Sequence, residues 1–268
     1  MTQQGQERRR YHRVNVKLPV GVVVKDLGGR FFVGNITNIS GGGLAIIINT
    51  FMPVGTKLAM TFEFQENHRF ENIDGVVIRS RESEDKFFSA IDFDVAKPEA
   101  KDKIDKYIKS IVFLKKIRPF SSLTDEETWF IRKISSEVSY KEGHKIFTEA
   151  TEGNGFYIVL SGRVKIVKES ALKKEEVIAM IKEGEFFGEM SLLDESKRSA
   201  SATAFSDTEM FVIKRDDFKR VLSTNDVLAV KLLWVFIKTL SQRLREIDDR
   251  MADMFFTESA PLSDLDKK

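Results

Sequence analysis

The sequence predicts a mainly β protein with helices, in which two β domains are joined by one helix and followed by a longer one. Three observations predict this class. Short β-branched and aromatic runs alternate with turn residues over residues 14–93 and again in the second half. Two other stretches show the three- and four-residue apolar spacing of helices. The chain has 268 residues, which at roughly 150 residues per domain is enough for two domains.

Six strand runs predict that residues 1–97 form a small antiparallel barrel. Turn signals such as Gly28, Pro53 and Gly75 stand between or beside them. Short strands at this spacing are typical of a small barrel. The runs cover residues 20–24, 31–36, 44–48, 58–64, 76–78 and 87–93.

Residues 98–118 are predicted to form a linker helix. Pro98 opens a pattern of apolar residues at helical spacing, and Pro119 ends it. Because an apolar stripe must rest on one β domain or the other, the domain boundary is expected along this helix. The stripe consists of Ile104, Tyr107, Ile108, Ile111 and Leu114.

A second domain is predicted over residues 119–256. Thr124 and Glu127 have the spacing of a capping box, which predicts a helix that runs to about Val138. Strand runs follow, separated by glycines at positions 143, 153, 162, 184 and 188. Residues 257–268 are predicted to form a polar tail.

The last predicted element is a helix over about residues 226–256 that joins two copies of the chain. Asp226 to Ala260 contains no Gly or Pro, and its apolar residues alternate at three- and four-residue spacing, which is typical of a coiled-coil seam. In a parallel pair, Arg243 and Asp248 would face each other across the seam. The alternative is an amphipathic helix packed on its own domain. The seam residues are Val230, Leu233, Ile237, Leu240, Leu244, Ile247, Met251 and Met254.

The composition excludes several functional classes. The chain has no cysteine, which excludes a disulfide scaffold, a thiolate metal site and a cysteine nucleophile. His12, His68 and His144 lack metal-ligand spacing, and no nucleophile motif or phosphate-binding Walker loop is present. We therefore expect neither catalysis nor a cofactor. No apolar run reaches the roughly 18 residues that span a bilayer, and no secretory signal is found, so the expected location is the cytoplasm.

Four arginines precede the first predicted strand, at Arg8, Arg9, Arg10 and Arg13. Guanidinium groups donate in pairs to phosphates and stack on purine faces. Such an arm is suited to a compact nucleotide with several phosphates or to a nucleic-acid backbone. Further on, the turn that contains Asn38, Ser40 and Gly43 offers an amide, a hydroxyl and backbone donors. Glycines there would permit positive φ and a close approach of a ligand to the main chain.

These two motifs, in this order, resemble those of the PilZ domain family. Its members bind cyclic di-GMP through an Arg-x-x-x-Arg arm and an Asp/Asn-x-Ser-x-x-Gly turn, and the resemblance covers about the first hundred residues. It implies that Arg9 and Arg13 contact phosphates and guanine faces, with Arg8 or Arg10 assisting a second ligand molecule. It also implies that Asn38, Ser40 and Gly43 hold the base and ribose. Asn38 stands where aspartate is commoner.

A second candidate site lies near residues 185–200. Gly188 leads into a predicted helical turn, and the backbone N–H groups at the start of a helix bind anions. Arg198 follows after a polar loop and can neutralise one phosphodiester charge, while Glu189 can accept a hydrogen bond from a ribose hydroxyl. These three parts together suit a cyclic mononucleotide.

The segment from about Phe120 to Arg245 resembles the cyclic nucleotide-binding domain shared by catabolite activator proteins, cyclic-nucleotide-dependent kinases and ion channels. The resemblance implies a β-roll (jelly-roll) followed by a long helix. It implies that Glu189 binds the ribose, that Arg198 binds the cyclic phosphate, and that cyclic AMP is favoured over cyclic GMP. The implied cassette is Gly188, Glu189, Met190, Arg198, Ser199 and Ala200.

The sequence therefore predicts a homodimeric receptor for cyclic di-GMP and a cyclic mononucleotide, with the linker helix joining the two sites and an unidentified downstream protein as partner. Two alternatives remain open: an adaptor whose second domain keeps the fold without a ligand, and a nucleic-acid-binding protein that uses the arginine arm. Few residues follow Met254, so we expect no DNA-reading helix of the kind that follows in catabolite activators. Membrane association is not expected.

Overall fold

The computed structural model describes residues 11–65, 68–93, 96–117, 120–169, 175–194 and 196–258. Two compact units make up the chain, Met1–Lys219 and Arg220–Lys268. The first unit contains all the described β-strands, and the second contains most of the helical end of the chain. Mainly β architecture with flanking helices is thereby confirmed.

The N-terminal domain contains six strands, β1 Arg13–Val24, β2 Arg30–Ser40, β3 Gly43–Ile48, β4 Lys57–Glu63, β5 Arg69–Ser83 and β6 Lys86–Asp92. They form a closed antiparallel barrel with strand order β1-β2-β3-β6-β5-β4. Pairing of β4 with β1 closes it, for example at Val22 and Met60. The predicted runs match the strands in number, although β1 and β5 begin earlier than predicted because ladder pairing extends them.

Alternation along the strands fills the barrel core. In β1, Val14, Val16, Val20, Val22 and Val24 are all buried, and the register shifts between Asn15 and Leu18. β-Branched residues suit such positions because they pack well on a pleated surface. The alternation therefore points every second side chain inward.

The predicted linker helix is α1, Pro98–Lys116, with its proline in the first turn. Pro is tolerated there because its missing N–H would have no helical partner. All five residues of the predicted stripe are buried. Four of them belong to the barrel core, so α1 rests on the barrel.

Helix α2, Asp125–Lys133, begins at the predicted capping box and ends earlier than predicted. Glu127 N donates to Thr124 Oγ1 at 3.2 Å, and Thr124 N donates to Glu127 Oε2 at 2.8 Å. The expected continuation to Val138 is wrong, because Ser135–Tyr140 forms strand β7 and pairs with a later strand at residues 208–213. Tertiary pairing outweighs local helix propensity in this segment.

The second β domain contains β7 and seven further strands: β8 Lys145–Phe147, β9 Gly155–Ser161, β10 Arg163–Glu169, β11 Glu175–Lys182, β12 Phe186–Phe187, β13 Ser201–Ala204 and β14 Thr208–Lys214. They form two four-stranded sheets, β11-β10-β13-β8 and β12-β9-β14-β7, with helix α3, Met190–Leu193, after β12. Gly162 makes the turn between β9 and β10 with φ of 85°, which glycine adopts without strain. This architecture agrees with the expected β-roll.

Two helices end the described chain, α4 Arg215–Thr224 and α5 Asp226–Glu258. Leu228, Leu232 and Phe236 of α5 are buried, whereas most of the predicted seam faces solvent. Val230, Leu233, Ile237, Leu244, Ile247 and Met251 are 40% to 60% exposed. Within the described ranges, no helix is both long enough and apolar enough to cross a membrane.

Candidate functional sites

Three of the predicted ligand-binding residues, Arg13, Ser40 and Gly43, lie together at one end of the barrel, and we call them the barrel motif. Arg13, the first residue of β1, is paired with Ser40 at the end of β2, and Ser40 is paired with Gly43 at the start of β3. Asn38 lies two residues before Ser40 and pairs with Asn15 of β1. Arg8, Arg9 and Arg10 lie outside the described residues.

The glycine turn is held by close packing. Ser40 Oγ donates to Gly43 O at 3.0 Å. A Cβ on Gly43 would lie 2.3 Å from Ile91 O, and one on Gly41 would lie 2.7 Å from the Tyr11 ring. None of Gly41, Gly42 and Gly43 has positive φ, so the expectation that glycine is needed here for a positive φ is wrong. These positions require glycine because neighbouring atoms approach the main chain.

Two buried oxygens beside this turn have no hydrogen-bond partner among the residues that the structure describes. They are Asn38 Oδ1 and Asp105 Oδ1. Asp105 belongs to α1, and its Oδ1 lies 2.6 Å from the position that a Cβ on Gly41 would take. Buried acceptors without a partner are costly. A ligand with N–H donors at its edge, such as guanine, could satisfy them.

The β-roll site is built around Gly188 and Arg198. Gly188 follows β12 with φ of 79°, a conformation that favours glycine. Arg198 is 5% exposed, its Nη1 donates to Gly188 O at 2.7 Å and to Ser191 Oγ at 3.0 Å, and its Nη2 donates to Gly155 O at 2.7 Å. The predicted glycine and arginine therefore meet, and the guanidinium spans from the cassette to β9.

Aromatic rings line the other side of this guanidinium. Arg198 Cζ lies 4.1 Å from the Phe147 ring centroid and 6.0 Å from that of Tyr157. Tyr157 stacks on Phe187 with centroids 5.2 Å apart and 14° between ring planes. Burial lowers the pKa of Arg198 from its ordinary value, but an arginine remains protonated at neutral pH. The result is a desolvated positive charge over aromatic faces.

The other cassette residues have different surroundings. Glu189 is buried, whereas Met190 is exposed. Ser199 Oγ donates a weak hydrogen bond to Met190 Sδ at 3.8 Å, so the two sides of the loop touch. Ala200 is buried directly before β13. The arrangement brings Gly188 and Arg198 together and puts Met190 beside Ser199.

Sequence reasoning missed four residues of this site. Gly155 and Ser191 accept hydrogen bonds from Arg198, and a Cβ on Gly153 would lie 2.0 Å from Ser191 Oγ. Arg215 Nη2 donates to Ser191 O at 2.8 Å. The paired glycines at 153 and 155 were the one available signal of a close approach of the backbone. Among the described residues, no group of three metal-ligating side chains could hold a metal ion.

A buried arginine connects the barrel helix to the β-roll. Arg132 of α2 donates from Nε to Ser110 Oγ of α1 at 2.7 Å and from Nη2 to Glu137 Oε1 of β7 at 2.6 Å. Its Cζ lies 4.5 Å from the ring centroids of both Tyr107 and Phe211. Since these rings belong to α1 and β14, Arg132 contacts the two domains at once.

A second connection lies near the start of β1. Asp125 Oδ2 accepts hydrogen bonds from Asn15 N and Nδ2, both at 3.0 Å, and Oδ1 accepts from Lys115 Nζ. Burial raises the pKa of Asp125, but the hydrogen bonds from Lys115 and Asn15 outweigh it, so the pKa lies below its ordinary value. Asn15 is two residues from Arg13. The start of β1, close to Arg13, is therefore hydrogen-bonded to the first residue of α2.

The fold therefore has two β domains, a barrel that carries Arg13 near the glycine turn and a β-roll that carries Gly188 beside Arg198. Comparison with known families agrees: residues 7–110 match the PilZ domain, and residues 137–225 match the cyclic nucleotide-binding domain. The chain joins a PilZ domain to a cyclic nucleotide-binding domain of the catabolite-activator type. The resemblance stated from the sequence is confirmed.

Two curated relatives are each similar to about half of the chain. The chain is 34% identical over 140 residues to the Cyclic AMP receptor protein of Thermus thermophilus, covering 52% of this chain and 63% of that protein. It is 29% identical over 121 residues to the CRP-like cAMP-activated global transcriptional regulator of Mycobacterium tuberculosis, covering 45% and 52%. The chain therefore spans about half to just under two thirds of these curated relatives.

A solved structure agrees with the β-roll architecture. A cyclic nucleotide-binding domain from Methylobacillus flagellatus superposes with a TM-score of 0.51 at 27% sequence identity. The match covers 56% of this chain and 84% of that domain. It supports the fold of the second domain.

Proposed function

We propose that this protein is a non-enzymatic receptor that binds cyclic di-GMP at the barrel and a cyclic mononucleotide, with cyclic AMP favoured, at the β-roll. The observation that carries the proposal is the buried guanidinium of Arg198 beside Gly188. A desolvated arginine next to a glycine turn is suited to a single phosphodiester charge, since electrostatic attraction is stronger away from water.

The proposed mononucleotide binding is an exchange of acceptors. The Nη atoms of Arg198 now donate to Gly188 O, Gly155 O and Ser191 Oγ, and phosphate oxygens would replace some of these neutral acceptors with charged ones. Charged acceptors give the stronger hydrogen bond. The names of the relatives in Thermus thermophilus and Mycobacterium tuberculosis support cyclic AMP as the ligand.

Calorimetric titration with cyclic AMP and cyclic GMP tests this site. We expect binding of cyclic AMP to the wild type and a loss of at least about 100-fold in Arg198→Ala, because a bidentate charged contact disappears. Arg163→Ala is the matched control, since Arg163 also lies on an aromatic ring, 5.0 Å from Phe205, but is exposed at the start of β10. Equal affinity in wild type and Arg198→Ala would contradict the assignment.

At the barrel, the proposed ligand is cyclic di-GMP. Two buried oxygens without partners among the described residues, Asn38 Oδ1 and Asp105 Oδ1, can accept hydrogen bonds from the N–H groups of guanine. Arg13, which pairs with Ser40, can donate to a phosphate of the dinucleotide. Arg9 would complete the arm, with Arg8 or Arg10 assisting a second ligand molecule. We expect Arg13→Ala to weaken cyclic di-GMP binding by about 10- to 100-fold, measured by calorimetry. Unchanged affinity would overturn the assignment.

The two sites are proposed to be coupled through α1 and α2. Arg132 supports this, because it bonds to Ser110 of α1 and to Glu137 of β7. Asp125 supports it by joining α2, which leads into β7, to Asn15 of the barrel and Lys115 of α1. Coupling of binding free energies is reciprocal. Each ligand should therefore shift the dissociation constant of the other by the same factor. Titrations of one ligand at saturation with the other measure both shifts, and two independent affinities would remove the coupling while leaving both sites.

The active form is proposed to be a homodimer through α5. Its seam residues Leu233, Ile237, Leu244, Ile247 and Met251 are exposed apolar side chains at coiled-coil spacing, which favours their burial against a second copy of the chain. Sedimentation should give a dimer for the wild type and a monomer for Ile237→Asp with Leu244→Asp. Lys238→Asp is the control on an exposed position outside the seam. A wild-type monomer at tens of micromolar would contradict the dimer.

A second candidate function is an adaptor whose β-roll binds no nucleotide. The aromatic cluster of Phe147, Tyr157 and Phe187 inside the β-roll, and the use of both Nη atoms of Arg198 by the protein, favour it. In that case neither wild type nor Arg198→Ala gives heat with cyclic AMP or cyclic GMP. Binding at the barrel would be unaffected.

A further inference from the structure

A cleft of about 390 Å³ lies between α1 and the end of β9. Val112, Phe113 and Leu160 give it an apolar floor, and His12, Lys109 and Lys116 give it basic groups. None of these six residues belongs to the two nucleotide sites described above. Its volume is at the low end of the roughly 300–1,000 Å³ typical of ligand pockets, which suits one nucleoside better than a whole cyclic dinucleotide.

The cleft adjoins the barrel motif in two ways. His12 lines it and is the neighbour of Arg13, while Tyr11 lies against Gly41 and Gly42 of the turn. On the helix side, Lys109 Nζ pairs with Asp105 Oδ2 at 2.7 Å, and the same carboxyl group lies against Gly41. A ligand held at Arg13 and the turn would therefore lie next to residues that line the cleft.

The groups in the cleft suit a purine nucleotide. Phe113 is partly exposed, and an aromatic face there can stack on a base. Lys109 and Lys116 are seven residues apart on α1, so they lie on the same side of the helix and can donate to phosphate or to the O6 and N7 acceptors of guanine. Asp105 partly neutralises Lys109. No ion pair of Lys116 is found in the described part of the chain, which leaves Lys116 as the main source of positive charge.

We propose that this cleft is a subsite for one guanosine half of cyclic di-GMP, with Phe113 stacking on the base and Lys116 as its cationic contact. The inference rests on the proposed binding of cyclic di-GMP at the barrel. Since Leu160 belongs to the β-roll, the bound dinucleotide contacts both domains. The ligand itself then becomes part of the connection between the two sites.

Calorimetric titration with cyclic di-GMP tests the subsite through two variants. Phe113→Leu keeps an apolar side chain but removes the aromatic face, and should weaken binding by about tenfold. Lys116→Gln should weaken it by about five- to tenfold. Lys103→Gln is the matched control, because Lys103 is an exposed lysine of α1 outside the cleft, and its affinity should equal that of the wild type. A Phe113→Trp variant should keep the affinity.

Amine labelling followed by mass spectrometry gives an independent test on the unmodified chain. Cyclic di-GMP should protect Lys116 from an acylating reagent, with Lys103 as the internal reference. If the wild type binds while both variants bind equally well and Lys116 is not protected, the subsite is wrong and the proposed function stands. If the wild type does not bind cyclic di-GMP, the proposed function of the barrel and the subsite both fail.

Discussion

The two candidate sites place an arginine beside a glycine turn in opposite ways. At the barrel, Arg13 is exposed at the start of β1. At the β-roll, Arg198 is buried, hydrogen-bonded at both Nη atoms and seated over an aromatic ring. An exposed arginine contributes to ligand binding with little effect on folding. A buried arginine also fills space and donates hydrogen bonds to backbone carbonyls, so its removal affects both ligand binding and folding stability.

Stability measurements should show the largest difference between these arginines. Arg198→Ala leaves Gly188 O and Gly155 O without their donor and opens a gap over Phe147. We expect a loss of about 2–4 kcal/mol in the free energy of unfolding. Arg13→Ala should change it by less than about 0.5 kcal/mol. Denaturant unfolding measures both values.

A leucine variant at Arg198 sharpens this test. Arg198→Leu restores part of the buried volume but none of the hydrogen bonds. If it is as stable as the wild type, the guanidinium contributes packing rather than hydrogen bonding to the fold. Equal losses for Arg13→Ala and Arg198→Ala would remove the contrast between the sites.

The glycines should show the next largest effects, for different reasons at the two sites. Gly43→Ala would put a Cβ 2.3 Å from Ile91 O, and since that atom is backbone, we expect a cost of about 1–3 kcal/mol. At Gly188, φ of 79° costs an alanine about 1–2 kcal/mol. The new Cβ would also lie 2.6 Å from Arg198 Nη1.

Ligand affinity separates the two glycine variants. Gly188→Ala should weaken cyclic AMP binding because Arg198 must move. Gly43→Ala should keep the dissociation constant for cyclic AMP within about twofold of the wild-type value. Both titrations are done at a temperature below the thermal unfolding midpoint of the variant. Gly184→Ala is a control for strain alone, since Gly184 has φ of 79° but no atom within 4 Å of its Cβ position. Unchanged cyclic AMP affinity in Gly188→Ala would contradict the contact.

The smallest effect is expected at the connection between the sites. Asp125→Asn weakens the charge-assisted bond from Lys115 and should cost about 1 kcal/mol at neutral pH. Because the folded-state pKa of Asp125 is depressed, this contribution is complete above the unfolded value of roughly 4 and is lost as pH falls through the folded value. The difference between wild type and variant should therefore shrink below about pH 4. Urea unfolding across pH 3–7 measures it.

Asp125→Asn also bears on coupling. It should reduce the mutual shift of the two dissociation constants while each ligand still binds on its own. Lys17→Gln serves as the control, because the exposed pair of Lys17 and Glu126 joins the same elements with little energy. An unchanged mutual shift in Asp125→Asn would exclude this connection as the route.

Local patterns predicted part of this structure well. The apolar stripe of α1 is buried at all five positions, and the capping box at Thr124 forms both of its hydrogen bonds. Both depend on residues close in sequence. The end of α2 was missed, because the strand at Ser135–Tyr140 exists only through pairing with β14.

The candidate sites show the same limit. The sequence predicts the meeting of Gly188 and Arg198, which are separated by ten positions. It does not predict that Gly155, 43 positions from Arg198, accepts the third hydrogen bond. Glycines at 41–43 are recognisable as a turn, yet the reason for them lies in Tyr11, Asp105 and Ile91, which only the fold brings there. Domain limits at residues 97 and 119 stay predictions.

Trp129 has a consequence for how this molecule can be divided. Its indole belongs to α2, yet it is part of the barrel core and lies edge-on to Phe64 with centroids 4.8 Å apart. A fragment cut at residue 118 would therefore lose this part of the barrel core and expose Phe64 and Tyr107 to water, and we expect it to aggregate. The shortest fragment of the first half that folds independently should extend through Lys133, because the barrel core includes a residue of α2.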